Sequence, residues 1–407
     1  MQRYYSILLL SLLTLTLSAQ AVESRLQWLQ LSDTSRISLI TCASGHAIYE
    51  RFGHTAIRIE DPPQHLDVVY HYGVFDFDTD WFIAKFVSGA TDYQLGRLPF
   101  QYFIAEYVER NSAVYAQELN LTRDERQQLF EALEQNYLPK NRFYRYNFIY
   151  DNCATRPLEI IATNCHSIPQ FAYHLPHPMT YRDVIKECVG TNNWMRFGID
   201  IVIGSEADHD IVWSNLISFP TYLRSIVSTG TFATESGTQP LVRTEKTVCN
   251  FPPLPPEDDG LLNPLFVFTL LFLVVALWTW LHRHRPYRPG FDTFFFAITG
   301  LMGNIIAFLM FFSAHPLVHD NYNMLWLCPL HLIFAFCVLN RSHWRLWRIY
   351  AWICVLSTMT AIVAFCAHIQ VMQASFLPLM LIMLLRALNY VLKNTAPTPT
   401  AAFVKKP

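Results

Sequence analysis

Apolar and polar residues alternate along the first half of the chain, which predicts β-strands there. Positions 54–60 alternate in this way, and a second segment rich in Val, Tyr and Phe follows at 65–78. On the first segment, one face carries Thr55, Ile57 and Ile59 and the other carries His54, Ala56 and Arg58. The sequence DPPQ between the two segments is typical of a turn, so the two strands are predicted to be antiparallel neighbours.

Helical periodicity appears after these strands. A helix is predicted over 100–111 and a strand over 113–121. The next helix is predicted to begin with a capping box formed by Thr122 and Glu125 and to end before Pro139. Its apolar face consists of Leu129, Phe130, Leu133 and Tyr137. This mixture of strands and helices predicts the α+β class for the part of the chain outside the membrane.

Long apolar runs replace both patterns towards the two ends of the chain. Residues 1–21 contain a basic residue, an apolar run and the small-x-small sequence Ala19-Gln20-Ala21, which is typical of a signal peptide. A Pro-rich, acidic linker at 251–260 precedes five further runs, each long enough to cross a bilayer as a helix. These predicted spans are 262–281, 291–313, 324–340, 349–371 and 375–392.

The distribution of basic residues predicts how the spans are oriented. Segments 282–288 and 341–348 and the C-terminal tail are basic, whereas 313–323 and 373–376 contain neither Lys nor Arg. Basic loops are enriched on the cytoplasmic side. The predicted organisation is therefore a signal peptide (1–21), a periplasmic domain (22–250), the linker (251–260), an all-α bundle of about five transmembrane helices (261–392) and a cytoplasmic tail (393–407). The bundle is predicted to lie in a bacterial inner membrane.

Composition and charge exclude several classes of protein. With 52% hydrophobic and only 15% charged residues, the chain is too apolar for an ordinary soluble enzyme. A net charge of −2 argues against a nucleic-acid partner. No Cys/His cluster has metal-ligand spacing and no Gly-rich phosphate motif is present, so neither a metal nor a cofactor is expected. Five of the nine cysteines precede the linker, where the compartment favours disulfides, and Cys165 with Cys188 is the pairing we favour slightly over free thiols.

One of these cysteines has the local sequence of a nucleophile. In YDNCATRPLEI, Asn152 is a candidate N-cap that places Cys153 at the N-terminus of a helix. There the helix dipole favours the thiolate, and backbone N–H groups are able to stabilise an oxyanion. The structural alternatives are half of a disulfide or a small buried side chain.

A nucleophilic cysteine also needs a base and a group that orients the base. His54 opens the first predicted strand directly after Gly53 and is the best candidate for the base. His71, on the adjacent strand, is the candidate for orienting its ring, with Asp76 as the weaker alternative. A hydrogen-bonded structural role is the alternative for both histidines.

Four short sequences in the chain read ERFGHTAIRI, YHYGVFDF, QELNLT and YDNCATR. Their order and spacing are those of the Lnb-type lipoprotein N-acyltransferases, which the chain resembles in these sequences. The similarity continues through FGIDIVIGSEAD and PLV to HPLVHDNYNMLWLCPL at 315–330. This resemblance implies a circularly permuted papain-like fold of the NlpC type, also used by lecithin:retinol acyltransferases. Many relatives carry Asn at the position of His71, and either side chain is able to orient an imidazole.

The resemblance also implies a reaction. An acyl chain would pass from a membrane phospholipid to Cys153 as a thioester, with His54 as acid and base, and then to the α-amine of a diacylglyceryl lipoprotein. A periplasmic Cys/His peptidase or amidase acting on cell-wall peptides, and a non-enzymatic membrane assembly factor, are the alternatives.

Several further polar residues are candidates for binding substrate. Arg58 suits a lipid phosphate, although an exposed strand charge is the favoured interpretation. Loop residues near the membrane face are able either to complete a substrate site or to form ordinary interfacial hydrogen bonds. Asp200 and Asp208 are interpreted as pocket residues or as capping residues. The complete candidate set for binding is Arg58, Asn152, His315, Asn321 and Asn323.

Overall fold

The computed structural model describes residues 29–75, 80–234, 237–255, 257–340 and 344–393. The predicted signal peptide, Asp76 and the tail beyond Lys393 lie outside the described residues. By compactness the chain divides into two units. The sheet unit comprises Met1–Phe82, Ala90–His177 and Val212–Leu254, and the helical unit comprises Ile83–Gly89, Pro178–Ile211 and Pro255–Pro407.

The sheet unit is built around a seven-stranded antiparallel sheet with the strand order β10-β5-β1-β2-β3-β4-β6. A second sheet has the order β7-β8-β9. The strands are β1 Arg36–Cys42, β2 His54–Asp61, β3 Leu66–Val74, β4 Asp92–Pro99, β5 Val114–Leu119, β6 Phe143–Arg145, β7 Gln170–Phe171, β8 Gly230–Thr234, β9 Gly237–Pro240 and β10 Val242–Cys249.

The helices of both units cover nearly all of the remaining regular structure. They are α1 Phe82–Val87, α2 Phe100–Glu109, α3 Arg123–Tyr137, α4 Thr155–Thr163, α5 Tyr181–Val189, α6 Trp194–Val202, α7 Pro220–Ser228, α8 Pro264–Leu281, α9 Gly290–Phe312, α10 His331–Asn340, α11 Trp344–Cys366 and α12 Phe376–Lys393. The short 3-10 turns are Ile48–Glu50, Pro62–Gln64, Ser205–Asp208, Trp213–Ser218, Gly260–Leu262 and Tyr322–Leu325.

The alternating pattern is reflected in two apolar layers, one on each face of the large sheet. Ile57 and Ile59 of β2 join the layer that contains Leu129, Phe130 and Leu133 of α3. Ala56 joins the opposite layer, which contains Phe103 and Tyr107 of α2. The predicted antiparallel pairing of β2 with β3 and the capping box at Thr122 and Glu125 are confirmed. The α+β class is therefore confirmed, whereas the strands other than β2, β3 and β5 were not predicted.

The helical unit contains five apolar helices, but the third predicted span differs from the prediction. Within the described residues, four helices are long and apolar enough to cross a membrane: Pro264–Leu281, Gly290–Phe312, Leu346–Cys366 and Phe376–Lys393. The predicted span 324–340 instead contains a 3-10 turn and the helix α10, which has 10 residues. Pro329 precedes this helix, and a helix of that length covers about 15 Å, half of a hydrocarbon core of about 30 Å.

Close backbone approach packs α10 against α9. A Cβ at Gly300 would lie 2.2 Å from the backbone nitrogen of Leu332, and one at Gly303 would lie 2.2 Å from the carbonyl oxygen of Leu327. Small residues at such contacts are typical of helices in membranes. The same unit buries ion pairs, among them Arg386 with Asp292 and Arg182 with Asp200. Since an isolated buried charge is costly, removing one member of either pair would destabilise the unit.

Candidate active site

The register of β2 and β3 brings two histidines together. Ala56 is opposite His71, so continuing the antiparallel register places His54, the first residue of β2, level with Gly73. The Nε2 atom of His54 lies 3.2 Å from the Nδ1 atom of His71, a hydrogen-bond distance. The predicted orienting contact between the two rings is thus present in the structure.

Gly73 occupies the space between His54 and Cys153. Its φ of +128° is one that L residues rarely adopt. A Cβ at this position would lie 3.3 Å from Cε1 of His54 and 3.8 Å from Cβ of Cys153. Because Nε2 of His54 is occupied by His71, it is the Nδ1 and Cε1 side of the ring that faces this space. The missing side chain of Gly73 therefore allows the imidazole and the cysteine to approach each other.

Gly96 makes room for the second histidine in the same way. It lies opposite His71 on β4. A Cβ at Gly96 would lie 2.7 Å from Nε2 of His71 and 2.6 Å from a methyl group of Val74. A side chain there would push the His71 ring away from its present position.

Cys153 lies in the turn before α4. The sequence had predicted it at the N-terminus of the helix itself. The helix begins at Thr155, two residues later. The N-cap residue is Ala154 and not the predicted Asn152, but Oδ1 of Asn152 does accept hydrogen bonds from the backbone nitrogens of Ala154 at 2.8 Å and Thr155 at 3.1 Å. The amide nitrogen of Asn152 donates to the carbonyl oxygens of Phe148 and Ser218 at 2.7 and 2.9 Å. Asn152 is only 2% exposed, and its contacts hold the turn that carries Cys153.

These hydrogen bonds change the expected electrostatics of the thiol. The N–H groups of Ala154 and Thr155 are committed to Asn152, so they are not aimed at a substrate oxygen. Burial raises the pKa of Cys153 to about 11, although the backbone N–H groups of Thr55 and Cys153 itself act to lower that pKa. The lowered pKa expected from the helix dipole is therefore wrong for the resting protein, since burial has the larger effect.

The histidines are also held neutral. Burial lowers the pKa of His54 to about 3, with His71 and Arg110 as smaller causes, and burial lowers the pKa of His71 to about 4. Phe103 packs against both rings, with centroids 6.5 Å from His54 and 5.6 Å from His71. The resting pair is thus a neutral thiol beside a neutral imidazole, and a proton transfer from one to the other must accompany attack.

The bond between the two rings couples their tautomers, since one of the two nitrogens donates and the other accepts. If Nε2–H of His54 donates to Nδ1 of His71, then Nδ1 of His54 carries a free lone pair on the side of the ring that faces Gly73, 4.0 Å from the position of a Cβ there. That atom is then able to accept the thiol proton. With these tautomers, a ring nitrogen of His71 provides the acceptor that an Asn carbonyl would provide.

Aromatic side chains line the other side of Cys153. Tyr146 stacks on Tyr93 with ring centroids 4.2 Å apart, and Tyr93 stacks on Phe75 at 4.9 Å. Tyr144 pairs with Tyr93 between β6 and β4. Cys153 packs against the apolar layer that contains Tyr93 and Tyr144. No signal in the sequence singled out these tyrosines, because β6 has three residues and shows no period.

Other candidate residues have different partners. Arg58 forms a two-point ion pair with Asp67, at 2.7 and 2.9 Å, and its guanidinium lies over the ring of Phe100. Nε2 of His315 hydrogen-bonds the carbonyl oxygen of Phe86 at 2.5 Å. These contacts are within the unit to which each residue belongs.

The two loop asparagines bind backbone. Asn321 and Asn323 are 2% and 0% exposed, and both amide nitrogens donate to the carbonyl oxygen of Ile201, at 2.8 and 3.1 Å. Asp200 and Asp208 both pair with Arg182. These five polar groups join α5 and α6 to neighbouring parts of the helical unit.

The predicted disulfide is wrong, because all nine cysteines are free. The thiol of Cys165 donates to the carbonyl oxygen of Ile161 at 3.0 Å. Cys42 and Cys249 are opposite the same residue, Val114, on the two sides of β5. Two strand spacings separate them by roughly 10 Å, whereas a disulfide requires Cα atoms within about 7 Å. Among the described residues there is also no group of three His, Cys, Asp or Glu side chains able to hold a metal ion.

Two family models match the chain. Residues 24–187 match the family model of the Lnb N-terminal periplasmic domain. Residues 256–396 match that of the Lnb transmembrane domain. No curated protein and no solved structure matches the chain. The two matches lie in the expected order and include both Cys153 and the helices α8 to α12.

Proposed function

Since the chain belongs to the Lnb family, we propose that it is a cysteine-dependent N-acyltransferase that carries an acyl chain as a thioester on Cys153. The observation that supports this most directly is the gap at Gly73, across which the cysteine and the Nδ1 side of His54 approach each other. The donor would be a membrane phospholipid and the acceptor a diacylated lipoprotein. A membrane protein with a periplasmic domain suits two substrates anchored in one leaflet.

The first half-reaction is acylation of the cysteine. Nδ1 of His54 takes the thiol proton as sulfur bonds to the carbonyl carbon of a phospholipid ester, and the π electron pair moves to oxygen. When the tetrahedral intermediate collapses, the C–O bond to the lysophospholipid breaks. His54 returns its proton to that leaving oxygen, which leaves a neutral imidazole and a thioester.

The second half-reaction transfers the chain to an amine. The neutral α-amine of the lipoprotein cysteine attacks the thioester carbon, and His54 accepts a proton from the nitrogen. The C–S bond then breaks, an amide forms and the proton returns to sulfur. A neutral base suits this step, and the pKa of His54, lowered to about 3 by burial, keeps it neutral at physiological pH. The aromatic surroundings of Cys153 limit access of the water that would otherwise hydrolyse the thioester.

We further propose that the sheet unit is periplasmic and that the C-terminus is cytoplasmic. The Nζ of Lys393, at the end of α12, donates to the carbonyl oxygens of His282 and Arg285, just after α8, at 2.8 Å each. The ends of α8 and α12 therefore lie on the same side of the bundle. The basic residues near both ends favour the cytoplasmic side, whether or not α10 crosses the bilayer.

The test is mass spectrometry of lipoprotein N-termini in cells whose only N-acyltransferase is this protein. Wild type, Cys153→Ser and Cys165→Ser are compared at equal membrane levels, the last as a matched control outside the site. We expect the third acyl chain with wild type and Cys165→Ser and its absence with Cys153→Ser. A chain present in Cys153→Ser would exclude the thioester, and a chain absent in all three would favour hydrolysis of cell-wall peptides instead.

A further inference from the structure

The site lacks an obvious set of donors for the oxyanion that acyl transfer creates. Asn152 accepts the N–H groups of Ala154 and Thr155, the two donors that the start of α4 would otherwise direct outward. The N–H groups of Thr55 and of Cys153 itself both act on the Cys153 thiol and lower its pKa. These two backbone donors are thus directed at sulfur, whereas an oxyanion hole needs donors aimed at the carbonyl oxygen.

Tyr144 carries a buried hydroxyl with no assigned task. The residue is 6% exposed, and its Oη has no hydrogen-bond partner among the described residues. Neighbouring tyrosines on β3 are satisfied, since the hydroxyl of Tyr72 donates to Oδ1 of Asn136 at 2.6 Å and that of Tyr70 to Glu134. An unpaired buried hydroxyl destabilises a fold, so its presence calls for an explanation.

Local packing holds Tyr144 beside the turn of Cys153. The guanidinium of Arg156, in the first turn of α4, lies 3.9 Å from the centroid of the Tyr144 ring, and Asp151 holds that guanidinium through two hydrogen bonds. Tyr144 belongs to the apolar layer against which Cys153 packs. Burial, and next the charge of a Cys153 thiolate, raise the pKa of Tyr144, so its hydroxyl remains a proton donor.

We propose that Tyr144 is a catalytic residue whose hydroxyl donates a hydrogen bond to the oxyanion formed when Cys153 attacks an acyl carbonyl. This inference rests on the proposed acyl-transfer function. In the resting enzyme the hydroxyl is unpaired, and it gains its partner only as the carbonyl π electrons move onto oxygen. A bond made only at that stage stabilises the transition state without tightening binding of the ground state.

The test is Tyr144→Phe, which removes the hydroxyl and keeps the ring beneath Arg156. Single-turnover formation of the thioester is measured in detergent-solubilised full-length protein with phospholipid as donor. We expect the rate to fall about 100-fold, the effect typical of losing one oxyanion donor. Alkylation of Cys153 by iodoacetamide, which creates no oxyanion, is expected to keep its wild-type rate. The melting temperature is expected to stay the same or rise, because an unpaired buried hydroxyl has been removed.

Tyr72→Phe is the matched control, because it removes a hydroxyl that is hydrogen-bonded. This variant is expected to lower the melting temperature and to leave thioester formation near the wild-type rate. A Tyr144→Phe rate within about threefold of wild type would overturn the inference, as would a parallel loss of alkylation, since either lies far from the expected donor effect. If wild-type protein forms no thioester at all, the proposed function itself fails, and this inference fails with it.

Discussion

Replacing Gly73 with Ala tests the geometry of the site directly. The backbone there has φ +128°, and an added Cβ would lie 3.3 Å from Cε1 of His54 but at an ordinary 3.8 Å from Cβ of Cys153. The backbone conformation alone is expected to cost about 1–3 kcal/mol of folding free energy. The close contact is relieved by shifting the imidazole by a few tenths of an ångström. Because catalysis is sensitive to such shifts, we expect thioester formation to slow about 10- to 100-fold.

The chain offers a matched control for the stability lost when Ala adopts a positive φ. Gly237 has a similar φ, +133°, but no heavy atom lies within 4 Å of the position of its Cβ. Gly237→Ala should therefore lose comparable stability and keep its activity. Thermal unfolding and single-turnover acylation are measured on both variants. Equal acylation rates in the two variants would refute the placement of Gly73 between the imidazole and the cysteine.

Further predictions concern protonation, orientation and stability. Burial raises the pKa of Cys153 to about 11. The rate of its alkylation by iodoacetamide should therefore increase about tenfold per pH unit between about pH 6 and 9. A rate that is constant over this range would instead indicate a thiolate paired with imidazolium. Burial lowers the pKa values of His54 and His71 to about 3 and about 4. Below about pH 6.5 the unfolded chain therefore binds more protons than the folded protein, and the melting temperature should decrease as the pH is lowered. An unchanged melting temperature would contradict the burial of both rings in the neutral form. His71→Asn should retain most of the acylation rate and His71→Ala should lose about tenfold or more, whereas equal rates would argue against an orienting role. Asp200→Asn should cost about 3 kcal/mol in denaturant unfolding, because it leaves the buried Arg182 short of a partner, and a loss near zero would show that the pair is unimportant.

Local rules accounted for much of the fold. Strand β2 and its partner β3 follow from alternation and a Pro-containing turn, and α3 follows from its capping box and apolar face. These signals depend on residues a few positions apart, so they are present in the sequence itself. Strand β10 was missed because it is largely exposed and polar, VRTEKTVC, and is held by pairing with β5. The length of the third predicted span was overestimated. Its apolar composition does not reveal that the helix begins only after Pro329.

The candidate site was predictable only in part. His54, His71 and Cys153 were identified by residue type and order, and two of them contact each other directly. Gly73 and Tyr144 were not identified, since their importance depends on neighbours that are distant in sequence. The pKa of Cys153 was predicted in the wrong direction, because the expectation considered the helix dipole and not burial by the surrounding sheet and tyrosines.

By itself, the sequence determined the types of the main elements, the apolar helices and the residues available for chemistry. Those properties arise from local periodicity, capping and side-chain type. Only the tertiary structure decided which nitrogen of His54 contacts His71, that Asn152 accepts the N–H groups of Ala154 and Thr155, and that no cysteines pair. Such features depend on register and burial, which are set by contacts between segments far apart in the chain, and a single sequence contains no direct record of those contacts.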